Sequence, residues 1–368
     1  MRRQDSGALQ CGWTTGACAA AGARAAFAAL LTGRFSDPVL LRLPRGRAAS
    51  FPLALSELGE NHARAGILKD AGDDPDVTHG ALIVAEVARG PAGLGIRFAA
   101  GEGVGRVTRP GLPLAVGEAA INPAPRAMIR DALREVADAN GALNPDVTVT
   151  ISIPGGARLA EKTMNARLGI IGGLSILGTT GIVVPYSCSS WIHAIYRGID
   201  VARAAGVDHI AAATGATSER AVQRLYDLPD HALIDMGDFV GGLLKYLRTH
   251  PVARLTIAGG FAKLAKLSAG HLDLHSGRSR VDTAALGDML AALGADGPAL
   301  ERARTAGGAG EILAVAGVWR EPLARFVAAR AREVALATLS GKTRVEVAIV
   351  DRDGGFLARV GGWRQNGC

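Results

Sequence analysis

The chain is 368 residues long, 48% hydrophobic and 20% charged, with a mean hydropathy of +0.20. That excludes a disordered or fibrous protein, and the length suffices for about two domains with separate cores. A net charge of +7 favours an anionic ligand, while an aromatic content of only 4% leaves few stacking platforms, so no nucleic-acid partner is expected.

The N-terminal part reads as mixed α+β. Thr14 or Thr15 caps a helix over about 16–31, closed by Gly33. Strand-like runs follow at 39–43 and 48–53 around a Pro44-Arg45-Gly46 turn, then at 81–87 and 94–98. A helix is expected over 125–139, ended by Gly141, and an alternating strand over 147–153. A domain boundary is placed here, giving 1–145 and 146–368.

The second half has a regular rhythm. Strands at 209–214, 232–236 and 255–258 each run into a glycine and then a helix, at a spacing of about 22 residues. Such alternation predicts a three-layer α/β/α domain on a largely parallel sheet. A helix over 322–339 and a hairpin at 344–350 and 356–360 complete the chain.

Only six of the 41 basic residues are lysines, leaving 35 arginines. A guanidinium grips a carboxylate in two places, so an anionic substrate explains the excess; a GC-rich coding bias explains it equally well. Cys11, Cys18, Cys188 and Cys368 form no CxxC pair, which fits a reduced cytoplasmic protein without a disulfide or zinc framework. Met1-Arg2-Arg3 is not followed by a Leu-rich core, so no signal peptide is expected. The uncharged stretch 168–196 is long enough to span a bilayer but is broken by five glycines and Pro185; a buried Gly-rich loop entering a helix is expected instead of a membrane span.

Several segments carry chemistry. Gly101-Glu102-Gly103-Val104-Gly105 lacks the following helix of a dinucleotide fingerprint and reads as a flexible loop presenting Arg106 and Arg109 to an anion, or as a plain hairpin turn. The acidic run 69–79 does not match a calcium loop; crowded carboxylates raise one another's pKa and make Asp74 a candidate proton acceptor, against a solvated acidic turn. His271 and His275 share one helical spacing but lack a third ligand, so no metal is expected and a substrate-facing histidine is preferred. The three Gly loops of the second half are the cofactor candidates: helix N-termini suit a carboxylate, and Asp235 and Asp238 suit ribose hydroxyls.

Longer stretches resemble the CbiD family, the cobalt-precorrin-5B C-1 methyltransferases of cobalamin biosynthesis. They are Gly12-Trp13-Thr14-Thr15-Gly16-Ala17-Cys18-Ala19-Ala20-Ala21, Lys69-Asp70-Ala71-Gly72-Asp73-Asp74-Pro75-Asp76-Val77-Thr78, Gly101 through Gly111, and Gly117 through Pro123. Asn165 through Ile170, Gly173 through Val183, and Lys266-Leu267-Ser268-Ala269-Gly270 continue the series in family order. One departure is Gly260-Phe261-Ala262-Lys263, where the family often has a Gly directly before the Lys.

The resemblance implies methyl transfer from S-adenosylmethionine to ring carbon 1 of a polycarboxylate corrinoid precursor, a small-molecule partner that matches the Arg-rich composition. On this reading Thr14, Thr15, Arg106, Arg109, Thr179 and Thr180 hold the macrocycle. Thr214, Gly215, Asp235, Asp238, Gly259 and Gly260 hold the methyl donor. Asp74 and His275 handle protons. A homo-oligomer and transfer contacts with other corrin-pathway enzymes stay open, as do two rival classes: a tetrapyrrole-binding or channelling protein without its own chemistry, and another nucleotide-using enzyme.

Overall fold

The computed structural model describes residues 9–142 and 145–363; Met1-Arg2-Arg3 and Cys368 lie outside these described residues. The chain divides into two compact units, Met1–Cys188 and Ser189–Cys368.

The first unit opens with β1 (Gly12–Trp13) and α1 (Thr15–Thr32). Helix α1 begins and ends where local chemistry dictates. The Thr14 hydroxyl accepts from the Ala17 N–H at 3.2 Å, and Gly33 stops the helix in the left-handed region at φ +76°. Its alanines are buried on nearly every side, so it packs against β5, β6 and α2. Next come the β2 (Val39–Arg42) and β3 (Ala48–Phe51) hairpin, β4 (Leu55–Leu58), β5 (His62–Leu68), β6 (Leu82–Arg89), β7 (Ile96–Ala100) and β8 (Arg106–Val107). Helix α2 (Pro123–Ala139) is followed by β9 (Val147–Ser152), α3 (Gly156–Ala160), β10 (Ile170–Ile171) and β11 (Ile182–Val183).

The main sheet of this unit has the order β4-β5-β6-β9-β7, antiparallel except for β7 beside β9. Strand β9 is hydrogen-bonded between β6 and β7, so the unit runs on to Cys188 and the boundary expected at 145/146 is corrected to 188/189. Strands β4 and β5 escape the sequence reading because His-Ala-Arg-Ala-Gly-Ile-Leu carries few β-branched residues; it is a strand because its neighbours bury it.

The second unit holds α4 (Cys188–Ala204, entering from the first), β12 (His209–Ala213), α5 (Ala216–Tyr226), β13 (Leu233–Asp235), α6 (Val240–Thr249), β14 (Arg254–Gly259) and α7 (Phe261–Ser268). Three helices absent from the sequence reading follow: α8 (Thr283–Ala292), α9 (Gly297–Thr305) and α10 (Ala309–Val315). Helix α11 (Arg320–Leu339) and the hairpin β15 (Arg344–Val350) and β16 (Phe356–Val360) close it. The sheet order is β13-β12-β14-β15-β16, the first four strands parallel and β16 antiparallel.

Side chains alternate across this sheet. Ala211, Ala213, Ala258 and Ala348 face Val222 of α5, whereas Ile210, Ala212 and Ile257 face Ile199, Leu243, Leu264 and Val327 of α4, α6, α7 and α11. The three-layer, largely parallel expectation holds. Each fully buried Leu or Ile of the larger face contributes roughly 1.5–3 kcal/mol of transfer free energy.

The stretch expected to be a Gly-rich loop contains β10 and β11 and then enters α4. Among the described residues, α1 alone is long and apolar enough to cross a membrane; 78% of it is buried in the core of its unit.

Candidate functional site

In the first unit, segments far apart in sequence converge on the start of α1. Strand β1 pairs with β11 through Gly12–Val183 and Trp13–Ile182, and Cys11 bridges Gly72. The Trp13 N–H donates to the Asp70 carbonyl at 2.7 Å, Thr14 to Gly181 at 3.0 Å and Gly16 to Leu177 at 2.8 Å. Gly178 is required here: at φ +125° a Cβ would stand 2.2 Å from the Thr14 hydroxyl oxygen. The loop 101–121 joins the same assembly, because Val104 bridges Leu174, Ile121 bridges Ile176 and β8 pairs with β10.

The hydroxyls expected to touch substrate are largely committed. Thr14 caps α1, Thr15 is 7% exposed, and Thr180 is folded onto Ile182, accepting its N–H at 3.2 Å. Thr179 is exposed. The Gly101–Gly105 string is not a free loop: its backbone is bridged to Ile151, Leu174 and Ala120 by hydrogen bonds of 2.8–2.9 Å. Arg106 is exposed on β8 and reaches the Gly117 carbonyl at 3.4 Å, while Arg109 lies along the backbone of Gly169. Among the described residues neither guanidinium has an acidic partner, so both retain their charge for an anion.

Each carboxylate of the acidic run faces a donor. Asp70 accepts from Gly72 N–H, Asp73 from Gln10 N–H and Asp74 from Tyr186 N–H at 2.9 Å. Asp76 pairs with the Lys69 ammonium, itself 1% exposed, and accepts from Thr78 N–H and Oγ1–H. Burial pushes the Asp76 carboxyl up, but the Lys69 charge and the bonds from Lys69 and Thr78 outweigh it and hold it below the usual carboxylate range. The shift is opposite to the rise expected of crowded carboxylates, since the neighbours supply protons and positive charge. Cys18 lies close by; burial pushes its thiol up to about 12, which removes it as a nucleophile.

In the second unit, the chain leaves β12 for β13 on one side and then crosses back to β14 on the other. The chain therefore enters α5 on one face after β12 and α7 on the other after β14, the kind of switch point at which ligands bind in such sheets. Thr214-Gly215 and Gly259-Gly260 stand at these strand ends. Gly215 and Gly260 have open space where a Cβ would stand, and Thr214 packs on Gly259. Asp235 ends β13, and its carbonyl accepts from Trp191 Nε1–H at 2.9 Å. Asp238 precedes α6.

Lys263, in the first turn of α7, ties these loops together. Its ammonium donates to the Thr214 carbonyl at 3.1 Å and lies 3.0 Å from Asp238 Oδ1, a buried oxygen with no aligned hydrogen bond. Ala262 before it is exposed, so the departure from the family pattern adds a methyl group to the surface of the first turn of α7.

His271 and His275 do not share a helix; they stand in the turn after α7. The Gly277 N–H donates to His275 Nδ1 at 3.1 Å, which leaves Nε2 carrying the proton of the neutral ring, and the ring is exposed. Asp273 is engaged by Arg278 at 2.7 Å. Asp74 and His275 thus belong to different units.

Three residues to which the sequence reading gives no role shape these sites. Lys69 and Lys263 are two of only six lysines in an arginine-rich chain, a contrast that marks compact point charges where a fork does not fit. Trp191 stands over Gly237 at the end of β13, 47% exposed.

The sequence profile of CbiD matches residues 2–185, and that of the CbiD C-terminal domain matches 273–361. Proteins of Brucella canis and Brucella suis, both named cobalt-precorrin-5B C(1)-methyltransferase, are 56% identical over 360 residues, covering 98% of this chain and 98% of theirs. The Brucella anthropi protein of the same name is 54% identical over the same length. A crystal structure of the cobalamin biosynthesis protein CbiD from Archaeoglobus fulgidus is 29% identical, with a TM-score of 0.40 over 73% of this chain and 83% of that one. The profiles cover well over half of the sequence and the relatives nearly all of it: the chain belongs to the CbiD family.

Proposed function

We propose that this protein transfers the methyl group of S-adenosylmethionine to C-1 of cobalt-precorrin-5B in cobalamin biosynthesis. The observation that carries the reading is the 56% identity over 98% of both chains to proteins bearing that activity in their name.

The donor site is assigned to the carboxyl ends of β12, β13 and β14. Its fit rests on three features: the uncrowded backbone at Gly215 and Gly260, the buried and incompletely bonded Asp238 Oδ1, and the Lys263 ammonium available to a carboxylate. Thr214, Gly215, Asp235, Asp238, Gly259 and Gly260 would hold the donor, which supplies an electrophilic methyl when bound. The N-termini of α5 and α7 begin at these strand ends, where free N–H groups suit a carboxylate, and Asp235 and Asp238 are matched to ribose hydroxyls.

The macrocycle is assigned to the loop assembly of the first unit, with Arg106 and Arg109 gripping peripheral carboxylates and Thr14, Thr15, Thr179 and Thr180 lining the loops beneath. The conjugated ring furnishes its own nucleophilic carbon, so the protein's contribution is alignment, on the order of 7–11 kcal/mol in favourable cases. Asp74 and His275 are the groups assigned to proton handling. Cys11 and Cys18, thiols outside any disulfide, support a reducing, cytoplasmic setting.

The test is incubation of the protein with methyl-labelled S-adenosylmethionine and cobalt-precorrin-5B, or its metal-free counterpart, reading label at C-1 by carbon NMR. Label at C-1 supports the assignment; corrinoid binding without label leaves only a carrier and refutes it.

A further inference from the structure

We propose that Tyr186 is the platform on which one face of the corrinoid ring rests, and that Asp74 is its positioning residue. The inference rests on the macrocycle assignment made above.

Val184-Pro185-Tyr186-Ser187 forms a tight turn, closed by the Ser187 N–H on the Val184 carbonyl at 3.2 Å. Proline at its second position and a positive φ at its third is the pattern of a type II turn, where glycine or asparagine belongs. Tyr186 occupies that third position at φ +56°. A bulky side chain in the left-handed region costs roughly 1–2 kcal/mol. Burial does not repay it: Tyr186 is 66% exposed, and among the described residues its ring stacks on no other aromatic and its hydroxyl makes no hydrogen bond. Folding alone gives no reason to place a tyrosine here. A ligand does.

The turn is held from a distance. Asp74 Oδ1 accepts the Tyr186 N–H at 2.9 Å, and Asp74 itself sits in a loop fixed by Asp73 on Gln10 and by the buried Lys69–Asp76 pair. The carboxylate thus spends one oxygen on keeping a strained backbone in place, a role distinct from proton transfer.

The surroundings match a flat ring with acidic edges. Leu177 and Val184, 48% and 57% exposed, lie on the same loop system and extend the apolar surface. The β2–β3 hairpin docks beside it, since Leu43 packs against Gly181, where a Cβ would stand 2.7 Å from Leu43 Cδ2. Its tip carries Arg42, Arg45 and Arg47, all exposed and, among the described residues, without an acidic partner. Arg45 is also in the left-handed region, at φ +73°. Exposed apolar side chains with unpaired guanidinium groups on an adjoining hairpin suit a macrocycle whose faces are apolar and whose periphery bears carboxylates.

The test uses the full chain and an anaerobic titration with cobalt-precorrin-5B, followed by the visible absorption of the ring. Y186G removes both the ring and the strain, so it folds; its affinity for the macrocycle is expected to fall about tenfold, the scale of one lost aromatic stacking surface. Y186F recovers the affinity. D74A weakens binding as Y186G does, whereas D74N, whose amide oxygen can still accept the Tyr186 N–H, recovers most of it. Wild-type affinity in Y186G, or D74N as impaired as D74A, overturns the inference. So does a dimer of the wild-type chain that dissociates in Y186G, which would assign the surface to a second copy. Wild-type protein that neither binds nor methylates the corrinoid refutes the function proposed above, a result separate from these.

Discussion

His209 offers a quantitative check on the second unit. It begins β12, is 5% exposed, and its ring lies edge-on to Tyr226 at 4.7 Å and to Trp363 at 4.6 Å. Thr256 has one hydroxyl proton and gives it to Glu346 Oε2 at 2.9 Å, so it accepts from His209 Nε2–H at 3.0 Å and the neutral Nε2–H tautomer is selected. Burial, with the nearby Arg254 charge, lowers the imidazole from 6.5 to about 4; Asp208 opposes this more weakly. The sign follows. Between pH 6.5 and 4 the unfolded chain binds this proton and the native unit does not, so stability falls as pH falls. The loss begins near pH 6.5 and is complete below about 4, reaching about 3 kcal/mol. His209→Gln keeps a donor toward Thr256 and lacks the titration. Urea unfolding of both proteins across pH 7.5–4 is the assay, with NMR titration of the ring as a direct readout. A wild-type-minus-variant difference that stays flat with pH, or a ring that titrates near 6.5, refutes the reasoning.

Two further outcomes are expected. Lys69→Met leaves Asp76 in a largely buried site without its cation, at a cost of about 3–5 kcal/mol in chemical unfolding. Because the folded Asp76 pKa is lowered, its ion pair stabilises above the unfolded value of 3.8 and is lost as pH falls through the folded one; the gap between wild type and variant closes there. Lys263→Met unties Thr214 from Asp238, and calorimetric binding of S-adenosylhomocysteine is expected to weaken roughly tenfold, as for a lost charged hydrogen bond. Unchanged binding would remove the donor from the carboxyl ends of these strands.

What the sequence revealed and what it hid divide along a physical line. The limits of α1 were legible because Thr14 and Gly33 act within one turn of the residues they cap. The strand–glycine–helix units of the second half were legible because apolar runs and glycines punctuate them locally. The caps of α8 and α9 were equally local, since Asp282 and Asp296 accept from Ala285 and Ala299 N–H, and reading those two aspartates as caps would have found both helices. Strand β5 and the place of β9 were hidden, because an Ala-Gly-rich segment becomes a strand, and a strand chooses its sheet, through partners far away in the sequence, such as Val84 beside Ser152.

The same line runs through the candidate site. Family motifs identified which segments matter, and the fold gathers those of the first unit around the start of α1. They did not foretell what each side chain does there. Asp70, Asp73, Asp74, Asp76, Thr14 and Thr180 spend oxygens on backbone N–H groups of other segments or on a turn of their own. A polar motif of this kind need not touch the ligand to be indispensable to it. It sets the backbone on which a few unspent groups, Arg106, Arg109 and the outward ring of Tyr186, are presented. Removing a motif aspartate should therefore be judged first by ring affinity and only then by turnover, since loss of the platform and loss of a proton acceptor reduce activity alike but only the first weakens binding.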